Sequence, residues 1–219
     1  MRFLRDNGLS IVLGLAALAT IGGMFLTGWE VYNQELAGHG ASSIGPSDYA
    51  MSGHFLSAVF ENWESEFLQM SAYVILTAFL FQRGSAESKN PDEISLQDED
   101  TAPRAEDPDV PWPVKAGRIV RNIYAYSLGL ALGALFLGSF LLHLRYSIDA
   151  ANAQAAMHGQ MPVALMDHVT SSLFWFESFQ NWQSEFLSTG LLVVLSIFLR
   201  FKGSPESKPV AAPHRETGG

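Results

Sequence analysis

Apolar residues gather into four long runs, with charges only at their edges. The first covers about residues 7–29, with no charge between Asp6 and Glu30; the second lies within 62–82, the third covers about 121–143, and the fourth lies within 181–201. An amphipathic helix of a soluble bundle alternates charged and apolar positions along its length. These runs do not, and each approaches the roughly 20 residues that cross a bilayer. The pattern predicts an all-α protein with four transmembrane helices. Between the runs, Pro46-Ser47-Asp48 and the segment from Pro162 to Asp167 carry helix-start chemistry. The helices they open could lie on the bilayer, with Phe55, Val59 and Phe60, and Leu173, Phe174 and Phe176, beneath them. Alternatively, each is the outer extension of a long span. Ala19 with Gly23, and Gly129 with Gly133, are small residues at the spacing of close helix approach.

The polar positions repeat. Asn-Trp-x-Ser-Glu-Phe-Leu occurs at Asn62–Leu68 and again at Asn181–Leu187, an offset of 119 positions. The same offset pairs His39 with His158, Gly40 with Gly159, Asp48 with Asp167 and Phe55 with Phe174. It also pairs Gly84-Ser-Ala-Glu-Ser-Lys89 with Gly203-Ser-Pro-Glu-Ser-Lys208. A register held this long reads as an internal duplication. The expected organisation is a first repeat at 1–83, a disordered acidic linker at 84–114, a second repeat at 115–202 and a disordered tail at 203–219. Each repeat crosses twice, so the copies share one orientation, related by an axis along the membrane normal. At the exits, Arg83-Gly84 and Lys202-Gly203 are expected to supply a last-turn cation and a C′ glycine.

Charge sets the orientation. Arg2 and Arg5 precede the first run. Arg83, Lys89, Arg104, Lys115, Arg118 and Arg121 fall between the second and third, and Arg200, Lys202, Lys208 and Arg215 follow the fourth. Only Arg145 is left for the two opposite loops. By the positive-inside rule both termini and the linker are cytoplasmic. Trp29, Trp63, Trp175 and Trp182 then fall near the outer interface. The first run is too long for an ordinary signal-peptide core and is read as retained. The net charge of −9 argues against a nucleic-acid partner. It arises largely between Gly84 and Val114, where nine acids face two bases.

The chain has no cysteine, so disulfides, thiolate metal sites and thiol nucleophiles are excluded. No P-loop, dinucleotide fingerprint, Gly-x-Ser-x-Gly or zincin helix occurs, so an enzyme is disfavoured and no cofactor is expected. The motif instead places Glu66 and Glu185 at the edge of lipid. From Phe67 to Gln82 and from Phe186 to Leu199 there are sixteen and fourteen uncharged residues. They span roughly 24 and 21 Å, less than the roughly 30 Å hydrocarbon core. Asn62, Glu66, Gln69, Tyr73 and Thr77 share one helix face, as do Asn181, Glu185, Ser188, Leu192 and Ser196, with Ser65 and Ser184 beside them. Glu64 falls on the other side, opposite Gln183 in the second copy. The two stripes are expected to face each other, either as interhelical hydrogen bonds or as a solvated site built on the two glutamates. His39 and His158, the one histidine pair related by the offset, are weak candidates for metal binding.

The wording Phe60-Glu-Asn-Trp-Glu-Ser-Glu-Phe-Leu-Gln69 followed by Gln82-Arg-Gly-Ser-Ala-Glu-Ser-Lys89 resembles a bacterial multi-pass membrane family described only as a domain of unknown function. The resemblance implies a bacterial cytoplasmic-membrane protein and brings no activity or cofactor. The functional expectation is a module that binds or conducts a proton, cation or small solute. Glu66 and Glu185 would be its ionisable groups, with Asn62, Asn181, Ser65, Ser184 and Gln69 as partners. Its surroundings would be the lipid bilayer and further copies of the chain. The alternative is a non-catalytic scaffold or assembly subunit, and the remotest reading is an outer-face metal-dependent enzyme.

Overall fold

The computed structural model describes residues 2–218, which are all-helical with no strand among them. Two long helices are apolar enough to cross a membrane: α1, Arg2–Gly38, and α6, Ser127–Met157. α1 has only Leu36 buried. A Cβ added at Gly22 or Gly23 would meet nothing, so the small residues expected to pack from the first run face open space. The second small pair does pack. Gly129 and Gly133 of α6 admit Ile75 and Ser71, whose side chains would lie 3.6 and 3.7 Å from an added Cβ.

Before α6, the chain forms α4, Trp112–Lys115, and α5, Arg118–Ala125. The third apolar run, expected as one helix from about 121, is therefore interrupted. At Tyr126 the backbone turns, and the Ser127 hydroxyl donates back to the Tyr124 carbonyl at 2.8 Å. Ile119 and Ile123 remain exposed on α5 beside Arg118 and Arg121.

The loops after α1 and α6 lead through short helices into the other two long helices. α2, Pro46–Ala50, precedes α3, Gly53–Phe79; α7, Leu165–Val169, precedes α8, Ser172–Phe198. α3 and α8 start well before the motif, so each motif sits mid-helix and the segment before it is continuous with the helix that carries it. At 27 residues, each is about 40 Å long.

Local hydrogen bonds explain the boundaries, and they recur 119 positions apart. Ser52 Oγ accepts the Phe55 N–H at 3.2 Å, capping α3, and Ser171 Oγ accepts the Phe174 N–H at 3.2 Å, capping α8. α1 closes in a Schellman motif at Gly40, φ 72°, through Ala41 N–H to Leu36 O and Gly40 N–H to Ala37 O. α6 closes identically at Gly159, φ 66°, through Gln160 N–H to Ala155 O and Gly159 N–H to Ala156 O. Asn33 Oδ1 accepts the Ile44 N–H and Asn152 Oδ1 the Val163 N–H, both at 2.7 Å.

The exits differ from expectation. α3 ends at Phe79 and α8 at Phe198, so Gly84 and Gly203 are not C′ residues, and neither last turn holds a cation. Three residues outside the helix follow, and then a turn in which Ser88 Oγ accepts the Gln82 N–H and Ser207 Oγ the Phe201 N–H, both at 2.9 Å. The glycines supply the positive φ of that turn, 87° and 91°. The linker then forms 3-10 turns at Leu96–Asp98 and Pro103–Glu106.

Two compact units result. One comprises Met1–Trp63 with Ser139–Ser178, the other Glu64–Gly138 with Phe179–Gly219. The first has an aromatic core. Tyr49 is 1% exposed, with Phe25, Tyr32, His54 and Phe55 rings 5.2–5.9 Å from it or from each other, and Phe174 is fully buried beneath His143. The second is unusually polar inside: Glu64, Ser65, Ser71, Ser85, Ser88, Ser196 and Lys208 are buried.

Candidate functional site

Within the second unit, α3 and α8 face each other through their motif residues. The Glu66 and Glu185 carboxyl groups lie within side-chain hydrogen-bonding reach of one another. Glu66 is exposed and Glu185 half-buried. One turn along, Gln69 Nε2 donates to Thr189 Oγ1 at 2.6 Å, and Thr189 donates to the Glu185 carbonyl at 3.0 Å. This short relay ties the stripe of α3 to the residue bearing the second carboxylate.

The fully buried carboxylate is Glu64. Its Oε1 accepts the Trp182 indole N–H at 3.0 Å, and Trp182 is braced edge-on by Phe136 and Phe179. Sequence reasoning set Glu64 aside because its counterpart is Gln183. The overlooked signal is Trp182 itself: its indole N–H needs an acceptor when half-buried. Thr189 was also missed, and no signal marks it, since its counterpart is Met70.

The other expected residues distribute as follows. Ser65 is buried. Asn62 is exposed and donates to the Ala58 carbonyl of its own helix at 2.7 Å. Asn181 is half-buried, and its carbonyl accepts the hydroxyl of exposed Ser184 at 2.8 Å. Lower on the stripe, Ser196 Oγ pairs with Ser85 Oγ at 2.9 Å and accepts the Ala86 N–H, while Tyr73 donates to Glu87 at 2.9 Å.

A second carboxyl pair joins the repeated turns. Glu87 and Glu206 are within hydrogen-bonding reach, and the Glu87 carboxyl is pushed above the usual carboxylate range by burial, opposed by the Tyr73 hydroxyl and reinforced by Glu206. Beside it, Lys208 is buried and its ammonium donates to the carbonyls of Gly84, Pro213, His214 and Glu216.

In the first unit the rings of His39 and His158 touch, centroids 4.7 Å apart and edge to face. Each Nδ1 donates to the carbonyl four residues back, Glu35 at 2.9 Å and Gln154 at 2.8 Å, which leaves Nε2 as the remaining nitrogen of each ring. The pair offers two ligands. Among the described residues no group of three or more His, Asp or Glu is arranged to hold a metal ion.

Comparison with known proteins places the whole chain, residues 1–219, in one family, Domain of unknown function (DUF6766), and the protein belongs to it. No curated protein and no solved structure matches the chain.

Proposed function

We propose that this member of the family is a four-span protein of a bacterial cytoplasmic membrane, built from two tandem copies of a two-helix unit, with both termini and the linker inside. Its function is to bind, and pass across the membrane, a proton or small cation at the Glu66–Glu185 pair. The duplication is supported by caps, Schellman closures and turn bonds that recur 119 positions apart. The two further spans are supported by the large apolar side chains that α3 and α8 expose, among them Leu76, Phe79, Phe186, Leu191, Val194 and Phe198. A soluble surface does not carry so dense an apolar array.

The observation that carries the functional reading is the meeting of the two motif carboxyls. Two like charges at hydrogen-bonding distance repel, and one proton or cation between them removes the repulsion. The Gln69–Thr189 relay holds the two helices in register there. Four helices enclose little volume, so a continuous path calls for further copies of the chain.

The test is ion flux into proteoliposomes with Glu66→Gln combined with Glu185→Gln, folding being checked by thermal unfolding. Flux should fall at least tenfold while the melting transition persists. Unchanged flux removes the reading. A scaffold is the second reading, favoured by the Trp182–Glu64 and Gln69–Thr189 bonds, which serve equally to hold helices. On that reading, the same double change lowers stability or dissolves an assembly and alters no flux.

A further inference from the structure

The first unit contains a cleft of about 180 Å³ that the carboxyl-pair reading does not use. Glu35 and Glu177 contribute its two carboxyl groups, and no lysine or arginine lines it. His54 and His168 supply imidazoles, each already engaged. His54 Nδ1 pairs with the Tyr49 hydroxyl at 3.0 Å, and His168 Nε2 with the Ser147 hydroxyl at 2.8 Å. Burial holds both histidines below their usual pKa, with Glu35 opposing at His54 and His143 adding at His168, so neither brings positive charge at neutral pH. The Tyr32 ring packs against the His54 ring at 4.9 Å and forms an aromatic wall.

A cleft with two carboxyls, uncharged histidines and an aromatic wall is complementary to a cation. Its volume falls below the roughly 300–1,000 Å³ of sites for drug-sized ligands, so its occupant has only a handful of heavy atoms. Among the described residues, the carboxyls and imidazoles form no three-ligand metal set. That arrangement suits a ligand bringing several N–H donors of its own rather than a bare ion. Glu177 faces a second carboxylate, Glu61, from α3, and burial with that neighbour raises its pKa. A bound cation relieves both.

We infer that this cleft is a binding site for a small primary ammonium ion, held between Glu35 and Glu177 with Tyr32 as its apolar wall. The site is independent of Glu66 and Glu185.

The probe is n-butylammonium chloride, titrated calorimetrically into the full chain in lipid nanodiscs at pH 7.5. Saturable binding with one site per chain is expected. Glu35→Gln combined with Glu177→Gln should weaken it at least tenfold, with thermal unfolding showing that the variant is folded. Ala151→Leu, which fills the cleft wall without touching charge, should do the same and keeps the test decisive if the double variant misfolds. Sodium butyrate should not bind. The inference is overturned if butylammonium gives no saturable heat, if butyrate binds as well, or if both variants retain wild-type affinity. Stoichiometric zinc binding lost in the same variants would also overturn it, in favour of a metal site.

Discussion

Replacing Gly28 by alanine puts a methyl group where the Tyr49 hydroxyl already sits: the added Cβ would overlap Tyr49 Oη, while Tyr49 Cζ would lie at 3.4 Å, an ordinary contact. Tyr49 cannot step aside freely, because it is 1% exposed, its ring is enclosed by Phe25 and Phe55, and its hydroxyl is paired with His54 at 3.0 Å. Overpacking of this kind costs about 1–3 kcal/mol. Loss of the Tyr49–His54 hydrogen bond as the ring shifts adds about 0.5–1.5 kcal/mol. The gain from alanine over glycine inside a helix returns about 1 kcal/mol. The net is a destabilisation of about 2 kcal/mol, a fall in Tm of about 4–8 °C for a chain of this size. Tyr49→Phe alone loses only the hydrogen bond. The double variant, Gly28→Ala with Tyr49→Phe, removes the clashing oxygen and keeps the helix gain, so it should melt close to wild type. Thermal unfolding of the four proteins in one detergent gives the cycle, with an expected coupling of about 1–3 kcal/mol. Additive losses, or no loss from Gly28→Ala, would refute the reasoning.

Trp182→Phe removes the indole N–H from a fully buried carboxylate and should cost about 1–3 kcal/mol. Adding Glu64→Met should recover part of that loss, and a melting curve with no recovery would count against the pair. Because burial and His143 depress the His168 pKa, the unfolded chain takes up a proton there that the folded chain resists. The stability it contributes is present above about pH 6.5 and is lost as pH falls through the folded pKa. His54 acts in the same sense through burial, and Glu177, raised by burial and Glu61, in the opposite one. The readout is therefore the difference between wild type and His168→Gln, whose Tm should fall less steeply below pH 6.5; identical slopes would refute it. Lys208→Met leaves four carbonyls without their ammonium donor. Amide exchange in residues 210–218 should then accelerate at least tenfold, and unchanged protection would show that the ammonium does not hold the tail.

The helical class was legible because α1 and α6 carry their apolar residues without interruption. The boundaries were less so. The second and fourth runs lie within 62–82 and 181–201, yet the helices begin at the Ser52 and Ser171 caps, upstream of the motif, where two unremarkable serines precede Gly53 and Ser172. The exit glycines misled for a related reason. Arg-Gly is common C-terminal chemistry, but here the Gly-Ser-x-Glu-Ser-Lys turn closes on itself through the second serine, and that bond is invisible until the fold forms. A helical wheel shows which residues share a face but not how far that face is covered. It therefore grouped Glu66 with its stripe and could not reveal that the packed side of α3 turns Glu64 and Ser65 inward.

On the proposed duplication, the two copies also show which residues can drift. Gly28 against the Tyr49 hydroxyl becomes Ser147 against His168, a larger residue facing a smaller one at the matching positions. Glu64 becomes Gln183, and Met70 becomes Thr189, which donates to its own helix and accepts from Gln69. At these positions packing and hydrogen bonding differ between the halves, while the caps and turn bonds are kept. The acidic residues that meet their own copies have not drifted: Glu66 meets Glu185, and Glu87 meets Glu206. Each such meeting sets carboxyl against carboxyl, which a glutamine in either copy would relieve while keeping the hydrogen bond. A purely structural contact gains nothing from keeping both acids. A group that must take up and release a proton or cation does, and retention of both carboxyls beside positions such as Glu64/Gln183 and Met70/Thr189 that have changed favours binding over helix glue.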